Sequence, residues 1–231
     1  MSVEPYRNQL LLGLSKADRR LLAPSLEPVE LELRRPIEQP NTPITHVYFP
    51  ESGIISVVAS AGGQQIEVGL IGREGMSGTA VLLGDHRSPN DVYVQMEGAG
   101  NRISTKILSR ALETSKTLRE RFQRYAHVFM VQIAQTAFAN GTAKIDARLA
   151  RWLLMAHDRQ DDNELLLTHE FIAVMLGVRR PGVTDALHKL EGKGLISTDR
   201  GAIRIVRRKG LIALAGGAYG VAEAEYERLM R

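Results

Sequence analysis

Apolar residues recur at helical spacing over residues 6–27 (YRNQLLLGLSKADRRLLAPSLE), which predicts a helix with Ser15 as N-cap and Pro24 as stop. From Val29 to Ile103 the texture changes. Short apolar runs, VELEL, HVYFP, GIISVVAS, QIEVGLI and DVYVQM, are divided by Gly, Pro, Asn and Asp. Val29 to Leu33 alternates strictly, as a half-buried strand does, and Ala61-Gly62-Gly63 reads as a hairpin turn. Several short strands at regular spacing predict an antiparallel sandwich or barrel.

From Ser104, itself a helix cap, to about Arg159 the pattern is helical. Leu118 to Ala139 contains no proline, and its apolar residues (Leu118, Phe122, Ala126, Phe129, Met130, Ile133, Ala134, Ala137) cover more than one face. A helix apolar on two sides is buried on two sides. One side packs on the β region, and the simplest partner for the other is the same helix of a second subunit. Asn140-Gly141 predicts the end of this helix, and Lys144 to Arg159 forms the next, amphipathic one. A domain boundary falls near residue 140.

Residues 168–197 carry the sharpest motif. Thr168 caps a helix over His169 to Leu176, and Gly177 ends it. A second helix places Val183, Leu187 and Leu190 on one stripe. A small residue at Ala173, glycine four on and Val183 six further is the spacing of a helix-turn-helix. Behind it, Gly194 to Ser197 and Ala202 to Val206 read as strands joined by the tight turn Asp199-Arg200-Gly201, a two-stranded wing. The candidate DNA-contacting residues are Thr168, Arg179, Arg180, Pro181, Thr184, Asp185, His188, Lys189, Arg200 and Arg204. Arginine can bond guanine O6 and N7, while Asp185 can accept from cytosine N4 or orient Arg179 or Arg180. Arg179 cannot cap the second helix, so first-turn amides and two arginines are left to welcome an anion.

Charge strengthens this reading. Net charge is only +4, yet Arg179 to Lys209 holds nine Lys/Arg against three acids, a local surplus of six. The absence of cysteine removes disulfides, thiolate metal sites and cysteine-held iron–sulfur clusters. No apolar run approaches the roughly 20 residues of a membrane span. The amino-terminal sequence MSVEPYRNQ lacks an apolar signal core, so a cytoplasmic protein without membrane association is expected. The six histidines show no ligand spacing. Asp85-His86 and Glu74 lack the nucleophile, metal set or carboxylate pair of an enzyme site, so no enzymatic activity and no metal are expected.

Over nearly its full length the chain resembles a Crp/Fnr-type transcription regulator. The resemblance rests on IGREGMSGTAVLLGDHRS in the β region, Glu51-Ser52-Gly53 after Tyr48-Phe49-Pro50, Arg148 to Leu154, and above all the helix-turn-helix and wing. It implies an α+β fold: an eight-stranded β-roll (double-stranded jelly roll) sensor domain over residues 1–117, a dimerisation helix over 118–140, and a winged helix-turn-helix over 141–231. In relatives that bind cyclic AMP, a glutamate holds the ribose and an Arg-Ser/Thr pair holds the phosphate. Gly78, Arg87 and Ser88 match that effector pocket, whereas Thr79 stands in place of the glutamate. A cyclic nucleotide effector would therefore have its ribose contact weakened or lost, and the stretch Gln132 to Thr136 matches the adenine-facing residues poorly. On the second helix, Pro181 and Asp185 replace the family's Glu and Arg, so the usual DNA half-site does not follow.

The resemblance implies a homodimer that binds a near-palindromic site on double-stranded DNA, contacts the transcription machinery and is modulated by a ligand in the β-roll. Two alternatives are an effector-independent DNA-binding regulator and a small-molecule-binding module whose winged helix contacts protein. The tail from Leu211 to Arg231 is expected to end in a short helix after Gly220, with Tyr219 and Tyr226 packed on the wing domain.

Overall fold

Two short helices open the chain where the periodicity predicts one. Helix α1 (Gln9–Leu12) is capped by Asn8 and ends at Gly13, and α2 (Lys16–Leu22) is capped by Ser15, whose hydroxyl accepts from the Asp18 amide. Pro24 lies in a 3-10 turn, Ala23–Ser25, which ends the helical stretch as expected. This computed structural model describes residues 6–199 and 201–231, and the chain divides into two units. The first comprises the chain up to Val57, Ile71–Met130 and Glu225–Arg231; the second comprises Val58–Leu70 and Val131–Ala224.

The β region forms a roll of two sheets, of which the segment Val58–Leu70 is assigned to the second unit and the other strands to the first. Strands β1 (Glu27–Leu31) and β3 (His46–Pro50) flank β7 (Gly98–Ser104), with Glu27 opposite Arg102 and His46 opposite Ser104. The alternating segment at Val29 thus pairs two residues earlier than its pattern predicts, and Leu33 is exposed. The second sheet runs β2 (Pro36–Glu38), β6 (Asp91–Met96), β4 (Ile54–Ala61), β5 (Gln64–Ile71). Gly62 and Gly63 join β4 to β5 with φ of +57° and +76°, as the hairpin signal requires. The roll region has seven strands among the described residues, where the resemblance implies eight. The stretch between β5 and β6 is loop plus the single turn α3 (Thr79–Leu82).

Helix α4 (Thr105–Thr114), capped by Ser104 as predicted, leads into α5 (Lys116–Thr142). Phe122 of α5 lies 6.1 Å from Phe49 of β3 in the roll core, and the Tyr125 hydroxyl donates to the Met76 carbonyl. Asp18, buried, receives hydroxyl hydrogen bonds from Ser15, Ser115 and Thr117 at 2.5–2.7 Å, which fastens α2 to the α4–α5 junction. Asn140-Gly141 does not end α5. The Ala143 amide still bonds the Ala139 carbonyl, so ladder continuity outweighs the weak helix propensity of the pair.

In the second unit α6 (Ile145–His157) is the hub, with Leu149 to Ala156 buried. It packs against α7 (His169–Leu176), α8 (Arg180–Gly192) and α9 (Arg208–Ala215). The wing is three-stranded rather than two-stranded: β8 (Glu164–Leu166), β10 (Ala202–Ile205), β9 (Ile196–Asp199), in that order. Tyr219 belongs here, bonded to Asp158 at 2.7 Å and to Arg208 at 2.8 Å. The last helix, α10 (Val221–Met230), follows Gly220 as expected. Tyr226, however, does not join the wing. Its hydroxyl donates to the Glu74 carbonyl at 3.1 Å, within the first unit.

Candidate nucleic-acid interface and effector pocket

Local sequence dictates the two helices of the motif. The Thr168 hydroxyl accepts from the Phe171 amide, and Gly177, at φ +57°, closes α7 in the left-handed region. Glycine is needed there twice over, because a Cβ would also stand 2.8 Å from Ile66 Cδ1. Val183, Ala186, Leu187 and Leu190 bury one stripe of α8 against the hub. Burial of that stripe fixes which residues face water: Arg180, Pro181, Asp185, His188 and Lys189 are all exposed.

The N-terminus of α8 has Arg179 at the cap position, with no side-chain cap bond, and Pro181 in the first turn. Among the described residues neither Arg179 nor Arg180 has an ion pair, and Asp185 orients neither of them. Uncompensated cations at the positive end of a helix, beside uncapped amides, leave a site for an anion. Thr184 is half-buried and lies 3.2 Å from His169 Nδ1, so it ties α7 to α8. Arg204 is exposed but pairs with Glu164 at 2.9 Å across the wing sheet. Arg200 lies outside the described residues. Thr168 is exposed at the start of α7.

Several side chains that the sequence pattern does not flag position this motif. Arg148 of α6 donates to the Leu176 carbonyl at the end of α7 and to Asn140 Oδ1. Trp152 Nε1 donates to Glu67 Oε1 at 2.6 Å, both groups buried. Gln132 bonds both the amide and the carbonyl of Leu70, at 2.7 and 3.1 Å, like an added strand residue. It is therefore committed to the backbone rather than open to a ligand. The one trace of Glu67 in the sequence is an acid within an otherwise apolar strand run.

In the roll, Gly78 and Thr79 sit at the start of α3, while Arg87 and Ser88 lie on the loop that precedes β6. Arg87 is exposed, its amide held by Asp85. The Gly78 amide donates to Glu38 Oε1 at 2.6 Å. Glu38 is 8% exposed. Burial pushes its carboxyl above the usual carboxylate range, and the Gly78 bond partly offsets the rise.

Residues 147–214 match the Crp-like helix-turn-helix domain family. No curated protein matches the chain. Solved structures resemble it over most of their length. A transcriptional regulator of the Crp/Fnr family from Eubacterium rectale shares 20% identity at a TM-score of 0.69, with 87% of this chain and 95% of that one covered. FixK2 from Bradyrhizobium japonicum shares 15% at 0.72, covering 83% and 98%. The c-di-GMP-responsive regulator CLP of Xanthomonas campestris shares 16% at 0.63, covering 83% and 99%. No helix among the described residues is long and apolar enough to cross a membrane. Residues 147–214 thus carry a Crp-like helix-turn-helix domain, and the chain shares the fold of these regulators.

Proposed function

We propose that the chain is a homodimeric, sequence-specific DNA-binding transcription regulator that reads the major groove with α8. The observation that carries this reading is the N-terminal end of α8. Arg179 and Arg180 stand exposed and unpaired beside uncapped amides, on a helix whose other face is locked into the hub. Arg180, Pro181, Asp185, His188 and Lys189 present side chains to base edges and phosphates, and Thr168 to the flanking backbone. Thr184 serves mainly to hold α7 to α8, and Arg204 supports the wing.

The partner subunit is favoured by α5. Gln123, His127, Met130, Ala134, Ala137 and Gly141 are exposed at alternating spacings of four and three, the signature of a coiled-coil seam. Met130 on this stripe and Phe138 beside it are 52% and 56% exposed, much apolar surface for a helix that stays alone. A dimer would set two α8 helices in successive major grooves, roughly 34 Å apart, on a near-palindromic site. Contact with the transcription machinery, as in other regulators of this type, completes the role.

For the effector, Glu38 on the Gly78 amide favours a pocket that takes no anionic nucleotide. The protein then acts independently of a cyclic nucleotide or responds to a neutral ligand. The experiment that tests the main reading is binding of purified protein to genomic DNA fragments across a salt series. Steep loss of binding with salt and enrichment of a two-fold site are expected. A protein that ignores DNA at every salt concentration would instead fit a winged helix that binds protein.

A further inference from the structure

The C-terminal helix ends on α5. Arg121 donates to the carbonyls of Gln9, Leu10 and Met230 at 3.2–3.3 Å, clamping the two chain ends side by side. Glu225 accepts two bonds from Arg228, at 2.7 and 2.8 Å, and lies 3.2 Å from His127 Nε2. Between α5 and the end of α10 runs an open groove of about 350 Å³, lined by Glu120, Gln123, Arg124, His127, Arg228 and Leu229.

This groove is continuous with the exposed stripe of α5. Gln123 and His127 belong to the stripe, and Glu120 stands one heptad before His127. From Met130 onward the stripe is apolar or small; before it the stripe is polar. Two copies meeting in parallel along α5 would set Glu120 against Glu120, a repulsive layer unless cations enter it. Lys116 approaches Glu120 only at 3.7 Å and is 79% exposed. The other cations on the groove are Arg124 and Arg228. Arg228 is 65% exposed, and only its Nε and one terminal nitrogen are engaged by Glu225.

We infer that the end of the C-terminal helix is part of the interface with a second copy of this chain. Arg228 faces Glu120 of the partner subunit, and Leu229 covers the polar end of the seam. The tail is then a dimer-stabilising element rather than a free appendage. This rests on the dimer reading above, and its test separates the two.

Dimer dissociation constants of the full chain are measured by sedimentation equilibrium for wild type, Met130→Glu, Arg228→Glu, Glu227→Ala and the double swap Arg228→Glu with Glu120→Arg. Wild type is expected to be dimeric and Met130→Glu to be monomeric. Arg228→Glu should weaken the dimer at least about tenfold, the size expected when one partner of an interface charge pair is lost. Glu227→Ala, outside the groove, should leave it unchanged, and the double swap should restore it. Monomeric wild type overturns the dimer reading and this inference together. Dimeric wild type with Arg228→Glu within about twofold of it, or a double swap that restores nothing, overturns this inference alone.

Discussion

Glu67 and Trp152 share a buried hydrogen bond, indole to carboxylate at 2.6 Å, with the two residues 2% and 4% exposed. An acceptor removed here leaves the indole N–H without a partner in the interior. Glu67→Ala is therefore expected to cost about 1–3 kcal/mol of stability in the second unit, and Glu67→Gln, which keeps an acceptor, less. Trp152 is the only tryptophan of the chain, so its fluorescence during urea unfolding reads the loss directly.

Asp18 supplies a pH-dependent contribution to the first unit. Burial alone would raise its carboxyl, but the hydroxyls of Ser115, Thr117 and Ser15 outweigh it and hold it below the usual carboxylate value. A depressed folded-state value contributes stability above the ordinary value of about 3.9, and that stability is lost as pH falls through the folded one. Asp18→Asn should lower the melting temperature at neutral pH and flatten its fall in acid. A variant that melts like wild type at pH 7 would remove this role.

Arg180→Ala is expected to weaken specific DNA binding more than non-specific binding, by about 1–3 kcal/mol if the guanidinium reads a guanine. Arg204→Ala should change DNA affinity less, because Arg204 is already engaged by Glu164. Fluorescence anisotropy with a selected site and with random duplex separates the two effects. Equal loss for both duplexes would make Arg180 a phosphate contact.

Cyclic AMP is expected to give no thermal shift, since Glu38 occupies the Gly78 amide. Glu38 also has a folded-state value raised above the ordinary one. Its contribution is thus fully present below the ordinary value and lost as pH rises through the folded one. Glu38→Gln keeps an acceptor and removes that loss, so it should melt at or above the wild-type temperature at neutral pH. A wild-type shift of several degrees with cyclic AMP would show that the nucleotide displaces Glu38.

What could be read from the sequence was mostly what local chemistry decides. Thr168, Gly177, Pro181 and the stripe of Val183, Leu187 and Leu190 specify α7 and α8 within a few residues of themselves, and the structure places both helices where those signals put them. Strand β7 escaped because Gly-Ala-Gly-Asn-Arg has little strand preference; pairing with β1 on one side and β3 on the other makes it a strand. Strand β8 escaped because three residues, Glu164 to Leu166, cannot display a period. Glu38, Glu67 and Gln132 were illegible for a related reason: each acts through a partner 40 to 85 residues away in sequence, and for Glu38 and Gln132 that partner is a backbone group that no side-chain pattern encodes.

The hairpin β4–β5 has a consequence for how the chain reaches its native state. Its outer part, Val58–Leu70, belongs to the same unit as Val131–Ala224, with sixty residues of the roll threaded between them. The unit that carries α8 therefore cannot finish folding as it emerges in sequence. Glu67 must find Trp152, 85 positions later, and Ile66 must find Gly177. Closing loops of that length before their contacts reward them slows folding, and it couples the maturation of the helix-turn-helix unit to a segment made long before it. A fragment starting at Val131 would lack Glu67 and Ile66 altogether, so the helix-turn-helix unit is discontinuous in sequence, and no single cut can lift it out whole as a transplantable cassette.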